Sequence, residues 1–344
     1  MLDVALERLR AFGPDLANGM TTHAPMVAEA LCALGRPEAV LPWLDRYCRQ
    51  ALPRPPRVAP IERSDWRGAL AREDRFSDWS AFFAEELARA PWREVLDVWV
   101  ARLAPGICAA ATHGVIRVGH AARALAGAET ELRRAELADA LASWASTYQE
   151  LPTRARGAGP ALRPDEAIAR VALQPAGERR FAGTIVSSLA GLDHFPAFAD
   201  VIGLLDVDGP PAETVAELTR VFARVLVENA HDTLTAIVLV HGVTSVAAFG
   251  NLVPHLRETT ARAVLPYAWQ AACGLYATFG SKPPGGGTFE SERPDLDALV
   301  ERAVAHGDEH AIKLAEACRT AYLREPAPEL PAALRRALEL IPAA

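Results

Sequence analysis

The chain has 344 residues, half of them hydrophobic, with a mean hydropathy of +0.06 and a formal net charge of -7. This composition predicts a folded core and excludes extensive disorder, and the acidic balance argues against a nucleic-acid-binding protein. Five scattered cysteines, with no Cys-x-x-Cys pair, exclude a disulfide framework or a thiolate zinc site.

The N-terminal segment and the apolar runs bear on location. Met1–Arg8 contains acidic residues and no long apolar run, so a signal peptide is not expected. The longest apolar run, Leu234–Phe249, is shorter than the roughly 20 residues of a membrane span. We therefore expect a cytoplasmic protein with neither a membrane nor a nucleic acid as partner.

Helical patterns run through nearly the whole chain, with apolar residues at steps of three and four in Glu131–Tyr148, Ala212–Glu228 and Asp295–His306. The run Ile237–Val240 could form a strand, but its flanks continue a helical pattern. The sequence predicts an all-α fold. Residues 1–344 form either one compact multi-helix domain or two packed helical halves that meet near the loop Thr153–Pro160. A second loop is predicted at Ser281–Gly287.

The first histidine of interest is His23, which precedes a helix with Pro25 in its first turn. The next two, His113 and His120, are seven residues apart and so point the same way, roughly 10.5 Å apart along a helix axis. Gly114 and Gly119 between them leave room for a neighbouring helix or a ligand. Either histidine alone could be a hydrogen-bonded core residue, whereas the pair favours a functional role.

Two further histidines, His231 and His241, are ten residues apart in one apolar helical pattern. They lie about 80° out of phase, so they are not expected to bind the same ion. His241 falls in the most hydrophobic run, where a buried imidazole needs a ligand or a hydrogen bond. His231 beside Asp232 is either a base with its orienting carboxylate or a pair on a helix surface.

Lys313 is one of only two lysines among the 36 basic residues, the other being Lys282. Unlike arginine, a buried lysine can lose its proton and react. His310 lies three residues before Lys313 and shares its helix face. A carbamate formed from Lys313 and CO2 would act as a carboxylate ligand, and imidazoles with one carboxylate suit iron, manganese or zinc.

Several phrases resemble the questin oxidase-like family and occur in the family's order. They are His23–Met26, Asp65-Trp66, Trp92–Leu96, His113–His120, His241–Thr244 and His310–Lys313. The family includes oxygenases that open anthraquinone-type rings in aromatic polyketide pathways. Part of it is understood as non-haem iron dioxygenases with four histidine ligands and one carboxylated lysine.

The resemblance implies that carbamylated Lys313 binds Fe(II), with Zn or Mn as other candidates, and that O2 is the co-substrate. The candidate histidine ligands are His23, His113, His120, His231, His241 and His310. The substrate would be a small aromatic compound that undergoes ring cleavage or oxygen insertion.

Arg117 and Asp232 are the candidate catalytic residues, and Arg117 could orient a substrate oxygen or a nearby carboxylate. No Gly-x-Gly-x-x-Gly motif supports a nicotinamide or flavin. Two alternatives remain, namely a metal-dependent hydrolase with a carbamylated lysine and a non-catalytic helical binding protein.

Overall fold

A computed structural model describes residues 1–154, 161–179, 181, 183–285 and 295–344. They divide into a first unit, Met1–Glu150 with Asn251–Thr260, and a second unit, Leu151–Gly250 with Ala261–Ala344. Residues 155–160 of the predicted boundary loop and residues 286 and 287 of the second predicted loop lie outside the described residues.

The first unit is built from helices, as the sequence predicted. Its α-helices are α1 (Leu2–Leu9), α2 (Ala24–Ala33), α3 (Val40–Tyr47), α4 (Phe76–Arg89), α5 (Trp92–Leu103), α6 (His113–Gly127) and α7 (Glu131–Ser146). Short 3-10 helices lie at Pro37–Ala39, Cys48–Gln50, Trp66–Ala69, Glu73–Arg75 and Ala104–Gly106.

A short sheet in the first unit was not predicted. Strand β1 (Phe12–Leu16) pairs antiparallel with β2 (Ala51–Pro53), with Phe12 opposite Pro53 and Leu16 opposite Ala51. The strands contain Pro14 and Pro53, and proline is depleted from strands because it cannot donate to the ladder. The period-two pattern that would reveal a strand is therefore missing.

Aromatic side chains form much of the first unit's core, where α4 and α6 both pack against α7. The rings of Trp66, Trp79, Phe82 and Phe83 contact the buried indole of Trp99 or one another, mostly edge to face. This arrangement agrees with a packing role for these tryptophans.

The segment Asn251–Thr260 is fastened to α5 although it is distant in sequence. The buried carboxylate of Asp97 accepts hydrogen bonds from the backbone and the guanidinium of Arg257. The ring of His255 lies 5.1 Å from that of Trp92. This segment therefore completes the first unit.

Gly114 lets α6 approach α7 closely. A Cβ atom at this position would lie 2.8 Å from Cγ and 3.0 Å from Cα of Trp144, which is fully buried and donates its indole N–H to the Gly106 carbonyl. The expectation that this glycine admits a neighbouring helix is confirmed.

Replacing Gly114 with alanine is expected to destabilise the protein by about 2 kcal/mol, because the Trp144 backbone must move. Gly127→Ala, in the same helix, is the matched control, since its Cβ would meet only Nη1 of Arg133 at 3.9 Å. Urea unfolding should show a lower midpoint for the first variant only. Equal stability of Gly114→Ala and wild type would contradict the close packing.

The second unit is also helical. Its α-helices are α8 (Pro164–Ile168), α9 (Ile185–Leu189), α10 (Pro211–Asn229), α11 (Thr233–Leu252), α12 (Glu258–Phe279), α13 (Leu296–His306), α14 (Glu309–Arg324) and α15 (Glu329–Leu340). The last two residues of α11 and the first three residues of α12 belong to the first unit. Short 3-10 helices lie at Ala176–Glu178, Ala190–His194, Pro196–Phe198 and Val201–Gly203, and Val253–His255 belongs to the first unit.

Helix α11 contains Ile237–Val240, so the helical interpretation of that run is confirmed. The helical stretch Thr233–His255 has a mean hydropathy of 1.8 over 18 residues and is long enough to cross a membrane, which the sequence analysis did not expect. Of that window 72% is buried within the structure, as in the core helix of a folded domain. Most of the apolar side chains of this helix are therefore packed inside the protein.

Two aspartates set the starts of the C-terminal helices. Asp295 accepts a hydrogen bond from the Ala298 N–H and caps α13, and Asp308 accepts from the His310 and Ala311 N–H groups and caps α14. Gly307 between the helices has φ 81°, a conformation that favours glycine. The caps fix where α14 begins and so which residues of its first turns face inward.

Candidate functional site

His23 and His113 form a buried pair in the first unit. His23 is the N-cap residue of α2, and its backbone N–H donates to the Tyr47 hydroxyl at 2.8 Å. His113 is the first residue of α6. Their Nε2 atoms lie 2.6 Å apart and their ring centroids 4.4 Å apart.

An unusual backbone turn precedes His113. Ala110, Ala111 and Thr112 have φ values of 46°, 57° and 74°, a left-handed conformation that costs about 1–2 kcal/mol per non-glycine residue. The turn brings the Ala110 carbonyl to Nδ1 of His113. Strain of this kind persists where the surrounding structure imposes it, and functional sites are common places for it.

The hydrogen bond to Ala110 places the hydrogen of His113 on Nδ1, which leaves the Nε2 lone pair directed at His23. A neutral His23 satisfies this contact by donating from Nε2. With its hydrogen on Nδ1 instead, His23 would also present a lone pair on Nε2, and two adjacent lone pairs attract a cation. The pair can therefore hold either a proton or a metal ion.

His120 has a different partner from His113. Its Nδ1 lies 2.7 Å from Oε2 of Glu29. The other carboxylate oxygen, Oε1, accepts a hydrogen bond from Nε of Arg123 at 2.9 Å. Burial opposes ionisation of Glu29, but Arg123 and His120 lower its pKa to about 2. A carboxylate that orients an imidazole in this way is common behind metal-ligating histidines. Sequence reasoning missed Glu29, the only acidic residue of the apolar helix α2.

His241 and His310 lie together in the second unit. Their ring centroids are 5.2 Å apart and both side chains are buried. Nδ1 of His241 lies 2.7 Å from the Ile237 carbonyl, which accepts its hydrogen and leaves the lone pair on Nε2. Nδ1 of His310 lies 3.4 Å from Oδ1 of Asp308. Burial raises the pKa of Asp308, but its bonds with His310 outweigh burial and lower it.

Lys313 lies on α14 one turn after His310 and is 1% exposed. Its Nζ atom has no hydrogen-bond partner among the described residues. Burial lowers the pKa of Lys313 to about 8, against the opposing charges of Glu309 and Asp308. A buried amine is costly as an ammonium ion, so at a given pH a larger fraction of Lys313 is neutral than of an exposed lysine.

His231 and Asp232 are placed differently from the other candidates. They precede α11, which begins at Thr233, so the prediction that His231 lies on the same helix as His241 is wrong. Their side chains are 59% and 55% exposed. Asp232 accepts hydrogen bonds from the backbone and hydroxyl of Thr235, which lower its pKa. This contact caps the helix, and the structure brings no other candidate to the pair.

Arg117, the other candidate catalytic residue, is buried in the first unit. Its Nε and Nη2 atoms donate to the two carboxylate oxygens of Glu136 at 2.7 and 2.9 Å. Burial opposes the charge of Arg117, but Glu136 keeps its pKa raised. The carboxylate that Arg117 contacts is thus that of Glu136, and its catalytic role stays a prediction.

The second unit's residues suit the metal that the sequence suggested. A neutral buried amine can react with CO2, and the resulting carbamate would lie on the same helix as His310, whose ring contacts that of His241. Two imidazoles and a carboxylate-like group are a donor set for iron, manganese or zinc. The orphaned Nζ atom of Lys313 is the observation that supports this fit.

A family model described as questin oxidase-like matches residues 21–318 of the chain. That range includes His23 at one end and Lys313 at the other. No curated protein matches the chain.

Proposed function

The chain belongs to the questin oxidase-like family, which implies an oxidoreductase of the oxidase or oxygenase type in polyketide metabolism, and from this premise we propose a non-haem iron oxygenase. Its substrate would be an aromatic, anthraquinone-like compound that undergoes ring cleavage or oxygen insertion with O2. We further propose a cytoplasmic location.

The buried amine of Lys313, which has no hydrogen-bond partner in the described part of the chain, carries this proposal. The neutral Nζ attacks the carbon of CO2, an N–C bond forms and one proton leaves, which gives a carbamate anion. Arginine in the rest of the chain cannot do this, because its guanidinium stays protonated. A carbamate would account for a lysine, and not an arginine, at this position.

The proposed ligands in the second unit are His241, His310 and carbamylated Lys313. Bound Fe(II) would supply the binding and one-electron reduction of O2, which amino-acid side chains do not provide. The Ile237 carbonyl holds His241 in the tautomer that offers Nε2. Asp308 holds the backbone of His310 and adds negative charge that favours a cation.

In the first unit, His23, His113 and His120 remain candidate ligands, and the exposure of His231 makes it the least suited of the six. His120 has the carboxylate partner expected of a ligand, and the His23–His113 pair can take up the proton of a phenol. The proposal thus assigns either metal binding or proton transfer to the buried histidines of this unit.

The test is the metal content of the full chain, purified without added metal, together with O2 uptake. About one iron per chain and O2 consumption with a hydroxyanthraquinone would support the proposal. Zinc without O2 uptake would instead favour a hydrolase that uses metal-activated water. A chain that binds no metal would exclude both enzymes.

Reconstitution with iron is expected to require CO2. At fixed dissolved CO2, the rate should rise about tenfold from pH 6 to pH 7 and level off above pH 8, because only the neutral form of Lys313 reacts and its pKa is about 8. A carbamate signal in 13C NMR after addition of labelled CO2 would report the product directly. Equal reconstitution in CO2-free buffer would contradict the carbamate.

A further inference from the structure

A cavity of about 380 Å³ lies within the first unit. Its walls come from α1, β1, α4, α6 and α7, with Thr22 and Pro25 on either side of His23. Ligand pockets commonly have volumes of about 300–1,000 Å³. The cavity is therefore large enough for a small organic molecule and borders the start of α2, where His23 lies.

Two ion pairs line this cavity. Arg54 makes a two-pronged contact with Asp139, which also accepts from the Ser80 hydroxyl at 2.5 Å. Arg117 makes the same kind of contact with Glu136. Because each guanidinium is matched by one carboxylate, these pairs carry no net charge, and the remaining charged residue of the lining, Arg10, has a side chain that is 61% exposed to solvent. A ligand with a full charge would leave a charge unbalanced in this largely buried region.

Donors and acceptors remain for a neutral ligand. Nη1 of Arg117 has no acceptor among the described residues, so it can donate to a carbonyl oxygen. Each carboxylate oxygen has more than one lone pair, so Glu136 can accept from a hydroxyl while it holds Arg117. The residues of the lining thus include both a hydrogen-bond donor and a hydrogen-bond acceptor.

Apart from the two ion pairs, the charged Arg10 and the hydroxyl groups of Thr22 and Ser80, the lining is apolar. Its apolar part is mainly aliphatic, with Leu6, Leu9 and Leu132, together with Pro25 and the ring of Phe12. Such surfaces favour a flat hydrocarbon ring system, since its burial removes apolar area from water. An apolar lining with a few fixed polar groups is typical of small-molecule sites.

We propose that this cavity binds the aromatic substrate as a neutral hydroxyaryl ketone, with its carbonyl oxygen on Arg117 and its adjacent hydroxyl on Glu136. This inference rests on the proposed function, which supplies the aromatic substrate class. Arg117 and Glu136 are then specificity-determining residues, and the apolar residues hold the rings. The cavity's position beside Thr22 and Pro25 brings the bound rings to the end of α2 that carries His23.

The first test uses 1-hydroxyanthraquinone as the probe and two alanines of α4. Ala84 lines the cavity and Ala88, one turn later, does not, although both are exposed. Ala84→Phe should weaken probe binding at least about tenfold by filling the cavity, while Ala88→Phe should stay within about twofold. Equal affinity of both variants for the probe would overturn the proposal.

The second test asks which charge the cavity prefers. Glu136→Gln leaves Arg117 unmatched, so the neutral probe should bind about tenfold more weakly and anthraquinone-2-carboxylate more tightly than to wild type. A general loss of packing would weaken both ligands alike, and that result would count against a specificity role. Because this variant changes a buried pair, its folding is checked by circular dichroism. If it does not fold, the comparison of Ala84→Phe with Ala88→Phe tests the proposal on its own.

A third measurement separates this inference from the proposed function. The cavity lining includes neither Lys313 nor His310. Lys313→Arg protein should therefore bind the probe within about twofold of wild type even after it has lost its iron. If the wild-type chain proves to have no oxygenase activity, probe binding that depends on Ala84 still supports the cavity. An active oxygenase with unchanged probe binding and KM in Ala84→Phe would refute the cavity alone.

Discussion

Replacing Lys313 with arginine is expected to abolish iron binding and oxygenase activity while the positive charge is kept. The guanidinium cannot form a carbamate, so the metal would lose an anionic ligand. We expect less than about a tenth of the wild-type iron and at least about a hundredfold less activity, since even the groups that support metal ligands change affinity by about 10–100-fold. Iron would be measured by plasma emission and activity by O2 uptake.

Lys282→Arg provides the matched control, because Lys282 is the other lysine of the chain and its side chain is exposed. It should keep full iron and full activity. A second variant, Lys313→Ala, tests whether an added carboxylic acid can take the place of the carbamate. Short-chain carboxylic acids should restore part of its iron binding, because a free carboxylate could bind the metal instead. Full iron content in Lys313→Arg would refute the role of the carbamate.

Replacing Arg117 with methionine is expected to cost about 3–5 kcal/mol of stability, because the buried carboxylate of Glu136 would lose its partner. Replacing both residues, as in Arg117→Met with Glu136→Leu, should recover most of the loss, since no buried charge then remains. Chemical denaturation of the four proteins in this double-mutant cycle measures the coupling. A single variant as stable as the wild type would show that the pair does not stabilise the fold.

The loss caused by Arg117→Met should also depend on pH. Burial already raises the pKa of Glu136 in the wild type, and Arg117 opposes this rise. Without Arg117 the pKa rises further, so the penalty is complete above the new pKa and fades as the pH falls through it and the carboxyl is protonated. We expect the variant to approach wild-type stability towards pH 5. Arg72→Met, which breaks the exposed pair with Asp74, should leave the denaturation midpoint almost unchanged at either pH.

Much of the helical fold could be predicted from sequence because its signals are local. The apolar periodicity of α7, α10 and α13 and the position of Pro25 are visible in short windows, and the structure agrees with them. The relation of His310 to Lys313 follows from helix geometry alone. The family was also identified correctly from short phrases.

The partners of the histidines could not be predicted, because they depend on contacts between distant segments. His113 meets His23 across 90 residues and His120 meets Glu29 across 91. The left-handed turn at Ala110–Thr112 lacks glycine, the usual sequence signal for that conformation. The cavity likewise arises from the assembly of several helices, and no single window of sequence contains it.

The discontinuous first unit has a consequence for the order of synthesis. Asp97 is made early, whereas Arg257, which binds it by backbone and side chain, follows 160 residues later. Although domains generally fold from the N-terminus during translation, this unit cannot be completed until residue 260 has emerged from the ribosome. A nascent chain halted after Glu150 would keep the buried carboxylate of Asp97 without its cation. Helix α5 therefore cannot make its contact with Arg257 until that residue has been synthesised.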